Sequence, residues 1–404
     1  MLYDTYQLQD DLIAPFRLMA KYLQSTLTGA NSGPAKGLHA NIAAGMELFS
    51  RYEITHVRPE FGISSVRVGN ADVTVTTETV LDLPFGRLLR FSKDIDTKQP
   101  RVLVLAPLSG HFATLLSGTI KTLLSDHEVF VTDWANARDV PLADGKFGMD
   151  DYVSYIIRFL ETIGPRTHLL AVCQPCVQAL TAVAIMSEDR HPATPLSMTL
   201  MAGPIDSRQS PTAVNKFALE KPIGWFRSSL ISPVPQRFAG AGRRVYPGFI
   251  QLNAFIAMNT QRHQAAHRRL YDHLAAGEVL EANKIKAFYD EYFAVLDLTE
   301  EFFLETVERI FQKSELATGN ATYLGSAVNP GSIRNTALLT IEGGRDDICA
   351  LGQTAAAHDL CSALRPHLKR HHLQANVGHY GVFSGKRWAN EIYPMVRNFI
   401  LAVE

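Results

Sequence analysis

The stretch HLLAVCQPCVQALTAVAIM holds the residues with the most evident chemistry in the chain. An apolar run, 168–172, ends in Cys173, and a helical pattern follows at once, with Pro175 where a first helical turn has no use for an N–H. Strand, sharp turn, nucleophile and helix together present a reactive atom at the rim of a sheet with helix N–H groups behind it. A thiol there is activated by the helix terminus and by a neighbouring imidazolium. The turn calls for small residues two positions to either side. Ala171 meets that demand and Pro175 departs from the usual glycine; around Cys176 both positions, Gln174 and Gln178, are bulky. Cys173 is therefore the expected nucleophile. Further along, TALLTIEGGRDDICAL closes an apolar run with Asp346 and Asp347, and VGHYGVFSG puts His379 in a glycine-flanked loop. Nucleophile, acid and histidine in this order make a triad of Cys173, Asp346 and His379 for acyl transfer, with Asp347 as the other possible acid. Two backbone N–H groups should hold the oxyanion, that of Gln174 and one from the turn Ser109, Gly110 and His111 in VLAPLSGHFATLL.

Other chemistries fit less well. CQPC has the form of a dithiol redox motif, but such a unit needs no distant Asp and His. As a zinc site it is half a motif, because Cys349 and Cys361 are twelve residues apart. No metal and no cofactor are expected. His367, His371 and His372 lie in a basic stretch, and no serine sits in G-x-S-x-G.

What must position these residues is legible in the apolar pattern. Residues 62–92 alternate in short bursts, as antiparallel strands do. RVLVLAPL, HEVFVTDW, THLLAVC, PLSMTLMAG and ALLTIEGG are continuous apolar runs separated by helix-like stretches, the signature of a parallel sheet covered on both faces. The expected class is α/β, with the α/β-hydrolase fold indicated by the triad's chain order. Residues 1–98 form an N-terminal extension with the first antiparallel strands, including a Gly/Ala/Asn-rich connector at 29–45. Residues 99–204 form the first part of the core, 205–335 a helical cap insertion and 336–404 the second part of the core. The 404 residues include 39 Lys+Arg, 40 Asp+Glu and 46% hydrophobic side chains, which rules out a disordered chain and gives nucleic-acid binding no electrostatic basis. No run is long and apolar enough for a membrane span. The acidic MLYDTYQLQDD start does not suit a signal peptide, so a cytoplasmic location is expected.

LAPLSGHFATLL, VTDWANARDVPLADGKFGMDDYV, AVCQPCVQAL, MAGPIDSRQSPTAVN, FYDEYFAVLDLTEEFFLETV and EGGRDDICALGQT resemble the intracellular poly(3-hydroxybutyrate) depolymerase family along nearly the whole chain. The Trp134 segment is also similar to cysteine-dependent polyhydroxyalkanoate synthases. The resemblance implies cleavage of amorphous storage polyester at the granule surface, and it maps the acid onto Asp346, since the related synthases place isoleucine two residues after theirs. It leaves a synthase-like acyltransferase or thioesterase, and a non-catalytic granule-binding protein, as alternatives. A thioester intermediate makes coenzyme A a conceivable acyl acceptor, and a homo-oligomer stays open. In the cap, Trp225 and Phe226 are the expected substrate-binding aromatics.

Overall fold

Alternating polarity lets one face of a strand meet solvent, and residues 65–93 fold accordingly into a meander of β1 (Ser65–Val68), β2 (Ala71–Leu83) and β3 (Gly86–Lys93). The computed structural model describes residues 2–29, 36–95, 97–258 and 260–404. The continuous apolar runs become β4 (Arg101–Leu105), β5 (Glu128–Trp134), β6 (Thr167–Val172), β7 (Ser197–Met201) and β8 (Ala337–Gly343), almost wholly buried. Each large apolar side chain removed from water there contributes roughly 1.5–3 kcal/mol. A ninth strand, β9 (Lys369–Gln374), completes one sheet in the order β1-β2-β3-β5-β4-β6-β7-β8-β9. From β5 to β9 every neighbouring pair is parallel, and β3 joins β5 antiparallel. With helices on both faces, this is the α/β-hydrolase architecture.

The helices in chain order are α1 (Leu2–Gly29), α2 (Lys36–Arg51), α3 (Ser117–Leu123), α4 (Met149–Ile163) and α5 (Cys176–Glu188). After β7 the chain leaves the sheet and forms α6 (Ala213–Glu220), α7 (Ile223–Leu230), α8 (Gly248–Met258), α9 (Thr260–Ala276) and α10 (Val279–Tyr292) before returning in β8. This excursion is mainly helical, with two- and three-residue strands at 232–233, 244–246 and 298–299. Helix α2 packs against α1 and against α9, so the N-terminal pair joins this helical excursion.

Part of the expected connector is corrected. Residues 30–35 of the 29–45 stretch lie outside the described residues, but from Lys36 the chain is helical. Alanines, Leu38 and Met46 favour helix strongly enough to carry Gly37 and Gly45. Among the described residues no helix is long and apolar enough to cross a membrane.

Candidate active site

Strand β6 is buried at every position and delivers Cys173 directly to the sheet's carboxyl edge. Cys173 adopts φ +67°, a left-handed conformation that costs a non-glycine residue roughly 1–2 kcal/mol. The turn is held by the Cys173 N–H on the Met201 carbonyl at 2.7 Å and by the Cys176 N–H on the Cys173 carbonyl at 3.1 Å. Pro175 sits at φ −65° immediately before α5 and ends the turn where its missing N–H is harmless. The space for this turn comes from Gly203, at the end of β7. A Cβ there would lie 2.2 Å from the Cys176 Cβ and 2.8 Å from the Cys173 carbonyl oxygen. That glycine answers the departure at Pro175, and nothing in the local sequence around Cys173 signalled it.

The two neighbouring thiols differ sharply. Cys176 is completely buried, its Sγ donates to the Ala171 carbonyl at 3.4 Å, and burial pushes the thiol well up. Cys173 is partly accessible, and all four cysteines are free.

Near the end of β8, Glu342 shapes the loop that carries the acid, accepting the N–H groups of Gly352, Thr354 and Ala355 at 2.8–3.0 Å. Asp346 turns one oxygen to the Ile348 and Cys349 N–H groups at 2.9 and 2.8 Å, which leaves its other oxygen for His379 Nδ1 at 2.8 Å. Asp347 is exposed, so Asp346 is the carboxyl that reaches the ring. His379 begins a short helix, His379–Phe383, and is buried. Burial alone would lower its pKa, but the neighbouring Cys173 sulfur and the Asp346 carboxylate outweigh it and hold the imidazolium up to about 10. The structure thus brings Cys173, His379 and Asp346 together, with the ring between sulfur and carboxylate.

The expected oxyanion turn is built from the end of β4. Trp134 Nε1 and the Tyr152 hydroxyl both donate to the Ala106 carbonyl, at 2.8 and 3.2 Å, and fix where the strand stops. Gly110 has φ +96°, and a Cβ there would lie 2.6 Å from the Gln251 side chain of α8. The Gln251 amide donates to the Ser109 carbonyl, and the Leu296 N–H donates to the Gly110 carbonyl at 2.9 Å. With the Ser109 and Gly110 carbonyls engaged, the N–H groups of Ser109, Gly110 and His111 have no partner among the described residues, and neither has the Gln174 N–H. The His111 ring plays a different part. It is buried between Phe255 and Tyr292, bonds the Tyr292 carbonyl at 3.1 Å and is pushed down by burial to about 4, which makes it a neutral tie between turn and cap.

Trp225 and Phe226 are not brought into this group. Phe226 is 3% exposed and packs with Ala218, Leu304 and Val307, while Trp225 rests edge-on against Phe226 and Phe217. Phe226 therefore packs within the cap's own core, while Trp225 is half-buried beside it. Gln251, Phe255, Tyr292 and Leu296 of the cap lie against the oxyanion turn, and none of them was singled out from the sequence. Among the described residues no cluster of three or more His, Cys, Asp or Glu is arranged to hold a metal.

Sheet and elbow together define the α/β-hydrolase fold, with Cys173 at the strand–helix turn. The family model described as PHB de-polymerase C-terminus matches residues 202–404, half of the chain, and the chain belongs to that family. It is a carboxylic ester hydrolase of the depolymerase type. The matched region contains Asp346 and His379, whereas Cys173 lies before it. No curated protein matches the chain. Among solved structures it is similar to a putative lipase from Acinetobacter baumannii AYE, at 13% identity over 81% of this chain and 93% of that one, TM-score 0.43. It is also similar to the monoacylglycerol lipase of Paleococcus ferrophilus, at 12% identity over 80% and 100%, TM-score 0.45.

Proposed function

We propose that the protein cleaves the ester bonds of amorphous poly(3-hydroxybutyrate) at the granule surface inside the cell, through a Cys173–His379–Asp346 triad and a covalent 3-hydroxyacyl thioester. The observation that carries this reading is the position of the His379 ring, bonded to Asp346 on one side and facing the Cys173 sulfur on the other. The ring takes the thiol proton, and the sulfur attacks an ester carbonyl of the polymer. The oxyanion is held by the N–H of Gln174 and by the 109–111 turn, a stabilisation of about 3–4 kcal/mol per donor. As the tetrahedral intermediate collapses, the C–O bond of the ester breaks, His379 gives its proton to the departing alkoxide, and the acyl group stays on sulfur. Water, deprotonated by His379, then adds to the thioester; the C–S bond breaks and the hydroxyacid leaves. Coenzyme A can replace water in the second half, since thiol-to-thioester exchange keeps the acyl group activated where hydrolysis discards that energy.

Brief exposure to amorphous polymer followed by peptide mass analysis tests this. One or more hydroxybutyryl units are expected on the Cys173 peptide, and a label on Cys176, or none on either cysteine, overturns the mechanism. Repeating the reaction with millimolar coenzyme A should yield acyl-coenzyme A; its complete absence removes the thiol acceptor while leaving hydrolysis intact.

A further inference from the structure

The turn at 109–111 is held from outside by two stretches of the cap. The Gln251 amide of α8 bonds the Ser109 carbonyl, and the Leu296 N–H bonds the Gly110 carbonyl at 2.9 Å. A peptide unit is planar, with its C=O and N–H pointing opposite ways. Holding the Ser109 carbonyl therefore aims the Gly110 N–H, and holding the Gly110 carbonyl aims the His111 N–H. Asp297 joins the two stretches. It follows Leu296 in the chain, and its Oδ1 accepts the N–H of Gly248, the first residue of α8, at 2.8 Å. They meet without slack, since a Cβ on Gly248 would lie 2.7 Å from the Leu296 carbonyl oxygen and 2.9 Å from Val295 Cγ2.

We propose that Asp297 is a positioning residue for the oxyanion hole, setting through Leu296 and Gly248 how the N–H groups of Gly110 and His111 meet the developing charge; the inference rests on the acyl-transfer reading given above. The residue is itself tied to three other parts of the molecule. Its Oδ2 accepts the Tyr3 hydroxyl of α1 at 2.6 Å. Its backbone N–H donates to Asn136 Oδ1 at 3.0 Å and its carbonyl accepts the Ala137 N–H at 3.2 Å, just beyond β5. His56 Nδ1 lies 4.0 Å away, and burial, helped by Arg138, holds that ring's pKa down to about 3, so it is neutral.

Stability is a poor reason for such a carboxylate. Asp297 is wholly buried, both groups that bond its side chain are neutral, and burial pushes its pKa up to about 6 against the pull of Tyr3, the Gly248 N–H and Arg138. A buried charge is often replaced by well-packed apolar atoms at no loss of stability. What an apolar residue cannot supply is direction. The two oxygens fix distance and angle to Tyr3 and to Gly248, and the positive end of the α8 dipole favours an anion at that point.

Asp297→Asn and Tyr3→Phe, each in the full-length chain, test this beside the wild type. The readouts are kcat and KM for a soluble 3-hydroxybutyrate trimer, and the rate at which iodoacetamide alkylates Cys173, followed by peptide mass analysis. Alkylation forms a C–S bond and expels iodide without any oxyanion, so it reads the sulfur and its imidazole independently of the turn. Misaimed donors should lower kcat about tenfold or more in Asp297→Asn and roughly threefold or more in Tyr3→Phe, with KM and the alkylation rate within about twofold of wild type. A smaller fall in kcat in a folded Asp297→Asn overturns the proposal. So does a loss carried by KM, or one that alkylation shares in equal measure, which marks a general structural role. Should Asp297→Asn fail to fold, Tyr3→Phe decides by the same criteria. A wild type that does not hydrolyse the trimer, or still does so once Cys173 is alkylated, overturns the acyl-transfer reading itself, and this inference with it.

Discussion

In β4 to β8 the apolar side chains point into helices on both faces, and Cys173, the proposed nucleophile, is held in a costly backbone conformation at the sheet's edge. In α1 the sorting is looser: Tyr3 and Ala20 are buried beside Arg17, while Leu8, Leu12 and Phe16 meet solvent. The first region is organised by what folding rewards, and its departure at Cys173 is where the proposed chemistry sits. The second departs along a whole helix face, and its exposed leucines contribute little to holding the fold together. Substitutions in the two regions should therefore differ sharply in what they cost.

The largest effect belongs to the carboxylate. Asp346→Asn keeps the shape of the side chain but removes the charge that orients His379 Nδ1 and stabilises the imidazolium, and kcat should fall roughly 10³- to 10⁴-fold. Steady-state hydrolysis of a soluble oligomer measures it; a loss below tenfold would hand the acid's role to another group. Next comes the core. Leu103, in β4 and completely buried, should cost about 2–5 kcal/mol in urea unfolding when truncated to alanine.

How legible all this was follows from the same physics. Buried parallel strands must be continuously apolar, so β4 to β8 stood out, and β6 pointed to Cys173 without help. The edge strand β9 did not stand out: KRHHLQ keeps most of its side chains in solvent or half-buried, and an edge position lets it be basic. The choice between Asp346 and Asp347 lay beyond spacing, because it depends on the Ile348 and Cys349 N–H groups that anchor one carboxylate oxygen. Gly203 was silent because its reason, contact with Cys176 and Cys173, arises between strands thirty residues apart in sequence. That Phe226 lies inside the cap was not legible either, because an aromatic's chemistry is the same in a cap's core as on a binding surface, and only burial distinguishes them.

The ion pair gives a smaller, signed prediction. His379 has an ordinary pKa of 6.5 and is held at about 10 in the folded protein. A group whose folded value is raised stabilises fully below its unfolded value, and that contribution is lost as the pH climbs from about 6.5 through about 10. Melting temperature should therefore decline over this window more steeply in the wild type than in Cys173→Ala, which lacks the first of the two partners that raise the ring. Equal slopes in the two proteins would mean that sulfur and ring do not interact. The strain at the elbow has its own sign. Cys173→Gly must abolish acylation, yet a residue free to adopt φ +67° should raise stability by about 1 kcal/mol. A loss of stability would show that the thiol's packing outweighs the backbone cost.

The smallest expected effect sharpens the contrast most. Leu12 and Leu103 are the same residue, one 63% exposed and the other fully buried. If the outward face of α1 takes no part in folding, Leu12→Ala should change unfolding free energy by no more than about 0.5 kcal/mol, as exposed substitutions do, where Leu103→Ala costs several times more. Urea denaturation of the two variants side by side decides it. A Leu12→Ala loss of about 2 kcal/mol would mean that the side chain is covered in solution by the protein itself, and the two regions would then follow one rule rather than two. A near-zero loss leaves Leu12 without a structural task, on a helix that is held from its other side by Tyr3, Ala20 and the Arg17–Asp10 pair.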